Sequence, residues 1–442
     1  MAAVRAMVNA GRHEQAHQSL IQLEPGLQHD LSSLQQSGEI HLALGRFDDA
    51  VRCYRRAVAL APDHPGALYN LASALITTGD LSHAETLLDR VVVLDPRDGD
   101  AFYNRATLRR WTAQDNHIPA LIEAVNRARH PGAETAFCYA LAKEFEDLGD
   151  HAAAWSWIER GAARRRAGLS YQVKNDVETM ALLVTVFSAQ RMAQAPKPLS
   201  GPGPIFVLGL PRSGTTLVDR ILCAHSQVDS LGEISDLALG IVRGAGPAKS
   251  KADLVRRSTQ MDPALLPALY GEAVQTYGRT APWLIDKTPA NYLYIGLIAL
   301  FLPQARIVHV RRGPMDNGFA LLKTLFRTGC PYSYSLDDLA AYMGAQHRLM
   351  AHWRQVLPGR LIEIDYEALV DDQEGQSRQL LSAIGLDWEP ACLDFHSNPA
   401  PTATASAAQV RRPIYRDSVA LWRHHEIALA PLKAGLQQQG VL

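Results

Sequence analysis

Glycines recur at a fixed spacing in the first half of this 442-residue chain, and this period constrains the fold more than any other feature. The interval from Gly11 to Gly45 equals the interval from Gly45 to Gly79, and Gly149 follows after close to two further intervals of the same length. After Gly45 and Gly79, an Ala follows at the fifth position and a Pro at the seventeenth. Self-similarity at such a period predicts a solenoid of stacked helix pairs, with the glycines in the turns.

The spacing resembles the tetratricopeptide repeat, whose period is about 34 residues. Each glycine would then lie between the two helices of a unit, and Pro62 and Pro96 would end the second helix of theirs. One unit, around residues 115–131, is degenerate. An unrelated helical bundle with chance spacing is the alternative. The resemblance implies a scaffold whose extended surface binds a peptide or mediates self-association.

The chain changes character after the repeats. Residues 172–194 predict one more amphipathic helix, and residues 195–204, APKPLSGPGP, have the composition of a linker. Beyond them, the short apolar runs IFVLGL, RIVHV and LIEIDY alternate with helical segments, which predicts a mostly parallel sheet covered by helices. We therefore predict a multidomain protein: an all-α repeat solenoid at 1–168, a helix and linker at 169–203, and an α/β domain at 204–442.

Charge and cysteine content exclude several classes of protein. The 44 Lys and Arg residues balance the 45 Asp and Glu residues, which argues against binding nucleic acid through bulk charge. The five cysteines are scattered without C-x-x-C spacing, so neither a disulfide framework nor a zinc site is predicted. No signal peptide or membrane-spanning stretch is evident in the sequence. We expect a cytoplasmic protein that binds neither nucleic acid nor membranes.

The first apolar run of the second half leads directly into a glycine-containing loop, GLPRSGTT at 209–216. A strand, such a loop and a helix N-terminus together form an anion cradle, because backbone N–H groups converge and the helix dipole favours negative charge. Thr215 stands where a nucleotide triphosphatase needs a lysine, which disfavours kinase or GTPase chemistry. The alternative is a purely structural turn that caps a helix.

The loop resembles the site that holds the 5′-phosphosulfate in sulfotransferases that use 3′-phosphoadenylyl sulfate (PAPS), and other motifs follow in the order of that superfamily. LGEI at 231–234 and IDKTP at 285–289 resemble the stretches that carry the catalytic glutamate and lysine of protein-tyrosine sulfotransferases. IVHVRRGP at 307–314 and DYEAL at 365–369 resemble segments that contact the donor's 3′-phosphate and nucleotide.

The tail at 404–425 is similar to the C-terminal segment of bacterial sulfotransferases with N-terminal tetratricopeptide repeats. Together with the repeats, the resemblance covers nearly the whole chain. It implies a P-loop-like sulfotransferase domain behind a repeat solenoid.

The resemblance also implies roles for individual residues. Glu233 would accept the proton of the acceptor hydroxyl, Lys287 would stabilise the leaving phosphate, and Ser406 would contact the same region. The acceptor would be a peptide tyrosine, a saccharide or a small phenol, the second product would be adenosine 3′,5′-bisphosphate, and no metal would be required. The donor would be bound by Pro211, Arg212, Ser213, Gly214, Thr215, Thr216, Arg312 and Tyr366.

One position departs from the pattern of the superfamily. Ala320 stands at the eighth position after Arg312, where a serine usually contacts the 3′-phosphate, and Lys323 or Arg423 could supply the missing contact. The departure keeps a second hypothesis open: a repeat adaptor whose sulfotransferase-like half binds nucleotide but is inactive. Without the resemblance, the simplest interpretation is that Glu233 is a solvated acid and that Lys287 belongs to a surface ion pair.

Overall fold

The computed structural model describes residues 1–27, 29–398, 400–404 and 406–442. Up to residue 167 the chain is helical, and most consecutive helices pack against each other as the repeat pattern predicts. The ten helices are α1 Ala2–Asn9, α2 His13–Leu23, α3 Leu31–Ala43, α4 Phe47–Leu60, α5 Pro65–Thr78, α6 Leu81–Leu94, α7 Gly99–Ala106, α8 Ile118–Arg127, α9 Pro131–Asp147 and α10 His151–Ala167.

The recurring glycines lie in the turns between paired helices. Gly11, Gly45, Gly79 and Gly149 all have φ between 70° and 95°, a left-handed conformation that glycine adopts without steric cost. Ala113 stands one period after Gly79, and there the tight turn is replaced by an irregular stretch from Thr107 to His117. The degenerate unit therefore still contains two helices, α7 and α8, which are joined by a longer connection.

The helix predicted over 172–194 is interrupted. The structure has α11 Val173–Val186 and α12 Ala189–Met192, with Phe187 in a non-helical conformation between them. Phe187 is 1% exposed and its ring packs at 5.5 Å from that of Trp353, while Ser188 caps α12 through the backbone N–H of Arg191. Tertiary packing of one aromatic ring and a local cap thus override the helical periodicity.

The second half is an α/β domain around a five-stranded parallel sheet in the order β2-β3-β1-β4-β5, which confirms the predicted fold class. Its interior strands are apolar because helices cover both faces. The strands are β1 Pro204–Leu208, β2 Val228–Ser230, β3 Trp283–Asp286, β4 Arg306–Arg311 and β5 Leu361–Asp365. The helices are α13 Thr215–Cys223, α14 Asp236–Ala245, α15 Lys251–Ser258, α16 Leu265–Gln275, α17 Ile295–Phe301, α18 Pro314–Leu322, α19 Leu336–Val356, α20 Tyr366–Asp371, α21 Gln373–Ile384 and α22 Ala430–Gln438.

The two halves contact each other at several places, for example between Arg166 and Asp338. One of these places is residues 322–327, which begin at the end of α18 and which we call the brace segment. The first helices of three successive pairs, α5, α7 and α9, all reach it. Tyr139 donates a hydrogen bond to the carbonyl of Leu322 at 3.0 Å, and the hydroxyl of Tyr103 accepts one from the backbone N–H of Leu325 at 3.2 Å. Part of the solenoid face that we expected to bind a partner is therefore filled by the chain itself.

Charged contacts reinforce the brace segment. Lys323 Nζ lies 2.6 Å from Glu146 on α9, and Arg327 contacts Asp100 on α7 at 3.5 Å. Arg327 also donates to the hydroxyl of Tyr69, which stands one repeat period before Tyr103. The repeat period thus places equivalent side chains of neighbouring units along one stretch of the α/β domain.

Within the described ranges, none of the helices combines the length and the apolar character needed to cross a membrane.

Candidate active site

The predicted site residues follow the carboxyl ends of the five strands, which meet at one edge because the sheet is parallel. The glycine loop follows the central strand β1, and each of the other four strands carries one motif. Glu233 follows β2, Lys287 follows β3, Arg312 follows β4 and Tyr366 follows β5.

The loop has the backbone geometry of an anion cradle. Arg212 has φ of 65° and Gly214 has φ of 106°, after which α13 begins at Thr215. A Cβ atom on Gly214 would come within 2.5 Å of the Tyr366 ring, so only glycine fits between the loop and β5's motif. The N-terminus of α13 therefore opens toward the residues that the sequence predicted as partners of the loop.

An open cleft, which we call the loop cleft, lies in front of this helix N-terminus. Seven of the predicted residues line it: Arg212, Gly214, Thr215, Thr216, Arg312, Tyr366 and Ser406. Pro211 and Ser213 lie outside this lining. The carbonyl of Pro211 accepts a hydrogen bond from Asn317 at 3.0 Å, and Ser213, 2% exposed, faces a second cavity.

Two guanidinium groups give the loop cleft its positive charge. Arg312 donates to the carbonyl of Arg212 at 2.9 Å, and its guanidinium lies 4.7 Å from the centre of the Tyr366 ring. Burial and the adjacent Arg312 cation lower the pKa of Arg212. In the part of the chain that the structure describes, the buried Nε atoms of both arginines lack a hydrogen-bond partner. Two close cations with unused donors favour the binding of an anion.

Glu233 and Lys287 form an ion pair beside the loop cleft without lining it. Lys287 Nζ donates to Glu233 Oε1 at 2.6 Å, and the side chains of Lys287 and Glu233 are 1% and 43% exposed, respectively. The lysine is thus held in the protein interior, whereas the carboxylate is accessible from solvent. This asymmetry excludes the simple surface ion pair that the sequence allowed.

Hydrogen bonds join the two turns that carry this pair to the loop helix. The backbone N–H of Lys287 donates to the carbonyl of Gly232 at 2.9 Å, and the N–H of Gly232 donates to Ser230 Oγ at 3.0 Å. Ser230 in turn donates to Asp219 on α13 at 2.6 Å. Asp219 was not predicted, although it lies one helical turn after Thr215 and so shares its helix face. Burial raises the pKa of Asp219, and the Lys287 charge opposes that shift.

The C-terminal segment covers one side of the loop cleft. Arg212 donates to Ser406 Oγ, and to Gln409 Oε1 at 2.9 Å. Tyr366 shares a hydrogen bond of 2.7 Å with Ser418. Gln409 and Ser418 are site residues that the sequence analysis missed, because nothing in a polar tail marks the side chains that fold back onto the loop.

The other cations of the predicted motifs differ in position. Arg412 lines the loop cleft, whereas Arg311 is paired with Asp365 at 2.7 Å and Arg423 is exposed. Lys323 lines the cleft with Ala320, and its ammonium group is already paired with Glu146.

Asp286, next to Lys287, predicts a pH dependence of stability. Tyr270 and Asn291 donate hydrogen bonds to it at 3.2 and 3.1 Å, yet burial raises its pKa to about 7. The folded state therefore holds this proton more tightly than the unfolded chain, and the stability it contributes at low pH is lost as the pH rises from about 4 to about 7.

We expect wild type to lose of the order of 4 kcal/mol relative to Asp286→Asn over this range. Urea unfolding of both proteins at several pH values measures the difference. Parallel curves for the two proteins would contradict the prediction.

Comparison with known proteins identifies the two halves. Residues 204–390 match the sulfotransferase family, and residues 36–107 match the tetratricopeptide repeat. An uncharacterized protein of Aquifex aeolicus (strain VF5) is 28% identical over 408 residues, which cover 88% of this chain and 52% of that protein. A putative protein-tyrosine sulfotransferase of Caenorhabditis briggsae is 26% identical over 238 residues, which cover 49% of this chain and 80% of that protein.

Among solved structures, the sulfotransferase domain from the curacin biosynthetic pathway aligns with a TM-score of 0.40 at 20% identity and covers 55% of this chain and 97% of that one. The chain spans about half the length of the Aquifex relative. Residues 204–390 are thus similar to the sulfotransferase family and residues 36–107 to the tetratricopeptide repeat, in the order that the sequence motifs predict.

Proposed function

We propose that this protein transfers a sulfuryl group from PAPS to a hydroxyl acceptor. The observation that carries the proposal is the meeting of five motifs at one sheet edge, with an anion cradle in the middle and a lysine–glutamate pair beside it. The match of residues 204–390 to the sulfotransferase family supports the same chemistry.

The donor would lie in the loop cleft. The backbone N–H groups at the start of α13 and the hydroxyls of Thr215 and Thr216 suit the 5′-phosphosulfate. Arg312 and Tyr366 suit the remainder of the nucleotide, and the unused Nε donors of Arg212 and Arg312 fit an anionic ligand. A chain of net charge −1 can thus bind a small, strongly anionic nucleotide in a local basic cleft.

Sulfuryl transfer requires a base for the acceptor hydroxyl and stabilisation of the charge that develops on the leaving phosphate. We assign the first role to Glu233, whose exposed carboxylate an acceptor can reach, and the second to the buried Lys287. Ser406 would help to hold the donor through Arg212. In the structure each of the two groups is the counter-ion of the other.

A peptide tyrosine is the acceptor that we favour, because the Caenorhabditis briggsae relative is named as a putative protein-tyrosine sulfotransferase. Calorimetric titration with adenosine 3′,5′-bisphosphate tests the donor site, and transfer from radiolabelled PAPS to tyrosine peptides, saccharides and phenols tests the acceptor class. No binding at millimolar nucleotide would refute the proposed donor. Binding without transfer to any acceptor class would instead support the inactive adaptor, which Ala320 favours.

Ala320 yields a prediction about how the donor is held. It lies on α18, is 6% exposed and lines the loop cleft with Arg312. We expect Ala320→Ser to bind adenosine 3′,5′-bisphosphate about tenfold more tightly, because a hydrogen bond to a charged phosphate contributes about 1.5–3 kcal/mol. Adenosine 5′-phosphate, which lacks the 3′-phosphate, serves as the control ligand, and its affinity should not change. Equal gains for both ligands would contradict a 3′-phosphate contact at this position.

A further inference from the structure

A buried cluster of three chemically different side chains lies between the first two helix pairs, in the solenoid rather than the α/β domain. Glu24 follows α2, His41 belongs to α3 and Cys53 belongs to α4. Their donor atoms all lie within 4.8 Å of one another. Glu24 Oε1 is 2.6 Å from His41 Nε2 and 3.7 Å from Cys53 Sγ. His41 and Cys53 are 2% and 7% exposed.

In the next repeat unit, the same three positions hold apolar side chains. One repeat period later, the counterparts of Glu24, His41 and Cys53 are Val58, Leu75 and Leu87. All three counterparts belong to or pack against the hydrophobic core of the following pairs. Three polar groups at core positions cost stability unless something compensates them.

The three groups provide one nitrogen, one sulfur and one oxygen ligand. Zinc binds such mixed ligand sets, whereas calcium and magnesium prefer oxygen ligands alone. The Nδ1 atom of His41 is buried and, among the residues that the structure describes, has no hydrogen-bond partner. Asp49 Oδ2 lies 3.9 Å from it. In metal sites, a carboxylate next to the histidine nitrogen that does not bind the metal commonly fixes the orientation of the ring.

We propose that Glu24, His41 and Cys53 bind a zinc ion that joins the first two helix pairs. A water molecule would complete the tetrahedron, and Asp49 would orient His41. The Glu24–His41 contact opens by several tenths of an ångström to admit the ion, since ligand atoms at about 2.0–2.3 Å from zinc lie more than about 3 Å apart. The side chain of Glu24 is 32% exposed, which provides a route of entry.

Charge and protons balance at this site. Cys53 loses its thiol proton to solvent when the sulfur binds zinc, and its thiolate and the Glu24 carboxylate neutralise the two positive charges. In the metal-free protein, burial and the Glu24 charge raise the pKa of Cys53 to about 12, so the thiol is protonated there. The ion would stabilise the solenoid, and no step of the proposed sulfuryl transfer depends on it.

Titration of metal-free protein with Co²⁺, followed by displacement with Zn²⁺, tests the proposal. We expect a thiolate-to-cobalt absorption band that zinc abolishes. The triple variant Glu24→Val, His41→Leu, Cys53→Leu carries the residues of the next repeat and should fold without showing the band. Cys138→Ala removes a buried cysteine outside the proposed site, and this variant should keep the absorption band. Asp49→Asn should weaken zinc binding about tenfold.

Thermal unfolding with and without Zn²⁺ provides a second readout that does not depend on absorption. Zinc should raise the Tm of wild type and of Cys138→Ala, and it should leave the Tm of the triple variant unchanged. A wild type that shows no thiolate band, or a triple variant that binds zinc as tightly as wild type, would overturn the proposal. Because the site lies outside the loop cleft, either result leaves the proposed sulfuryl transfer unaffected.

Discussion

Lys287→Ala is expected to lower the rate of sulfuryl transfer about a thousandfold, because the variant lacks the cation that we assign to the leaving phosphate. Lys287 is 1% exposed, so little water can replace the missing charge. Glu233 is 43% exposed and tolerates the loss of its partner, so the variant should fold. Single-turnover transfer from PAPS measures the rate, and calorimetry with adenosine 3′,5′-bisphosphate should show that the product still binds.

Glu233, the ion-pair partner of Lys287, requires a more conservative substitution than alanine. Glu233→Ala would leave the Lys287 charge buried without a counter-ion, which destabilises proteins by about 3–5 kcal/mol. Glu233→Gln keeps a hydrogen-bond acceptor at that place and removes only the base. We expect it to lower the rate about a hundredfold or more. Lys197→Ala, which changes an exposed lysine in the linker, is the matched control. Rates equal to wild type in both site variants would remove the assigned roles.

Glu146→Ala is expected to detach the brace segment from the repeats. Glu146 and Lys323 are 14% and 24% exposed and 2.6 Å apart, and breaking such a pair leaves a largely buried ammonium group without a counter-ion. We expect a loss of about 3 kcal/mol in the free energy of unfolding. We also expect faster hydrogen exchange at residues 322–327, which hold the backbone bonds to Tyr103 and Tyr139.

Glu134→Ala is the matched control for this experiment. Glu134 lies on the same helix, α9, and is 15% exposed, but it pairs with Arg160 and Arg164 inside the repeat domain at 2.8 and 2.9 Å. We expect this variant to lose stability while residues 322–327 keep their protection. Equal increases of hydrogen exchange at residues 322–327 in both variants would indicate a general destabilisation of α9. That result would contradict a specific role of the Glu146–Lys323 pair in holding the brace segment.

Most of the α/β fold could be predicted because its signals are local. Apolar runs of strand length, separated by helical segments, predict a parallel sheet, and the carboxyl ends of parallel strands share an edge. The placement of the loop, Arg312 and Tyr366 around one cleft follows from that rule. The same rule brings Glu233 and Lys287 together, because β2 and β3 are neighbours.

Contacts between distant segments could not be predicted. The break at Phe187 depends on Trp353, and the filling of the repeat face depends on the brace segment, which lies far along the chain from Tyr139. The polar residues of the C-terminal tail gave no sign that Gln409 and Ser418 would reach the loop and β5. Such contacts arise from side chains that meet only after packing, and a residue pattern read along the chain does not encode them.

The sequence by itself determined the period of the helical repeat, the parallel character of the sheet and the position of the glycine-containing loop, because periodicity and turn residues are properties of neighbouring positions. Only the tertiary structure decided that Lys287 is buried while Glu233 is exposed, that the repeats hold residues 322–327, and that Glu24, His41 and Cys53 meet. Burial and the meeting of distant side chains depend on how complete elements pack, which is a property of the whole fold.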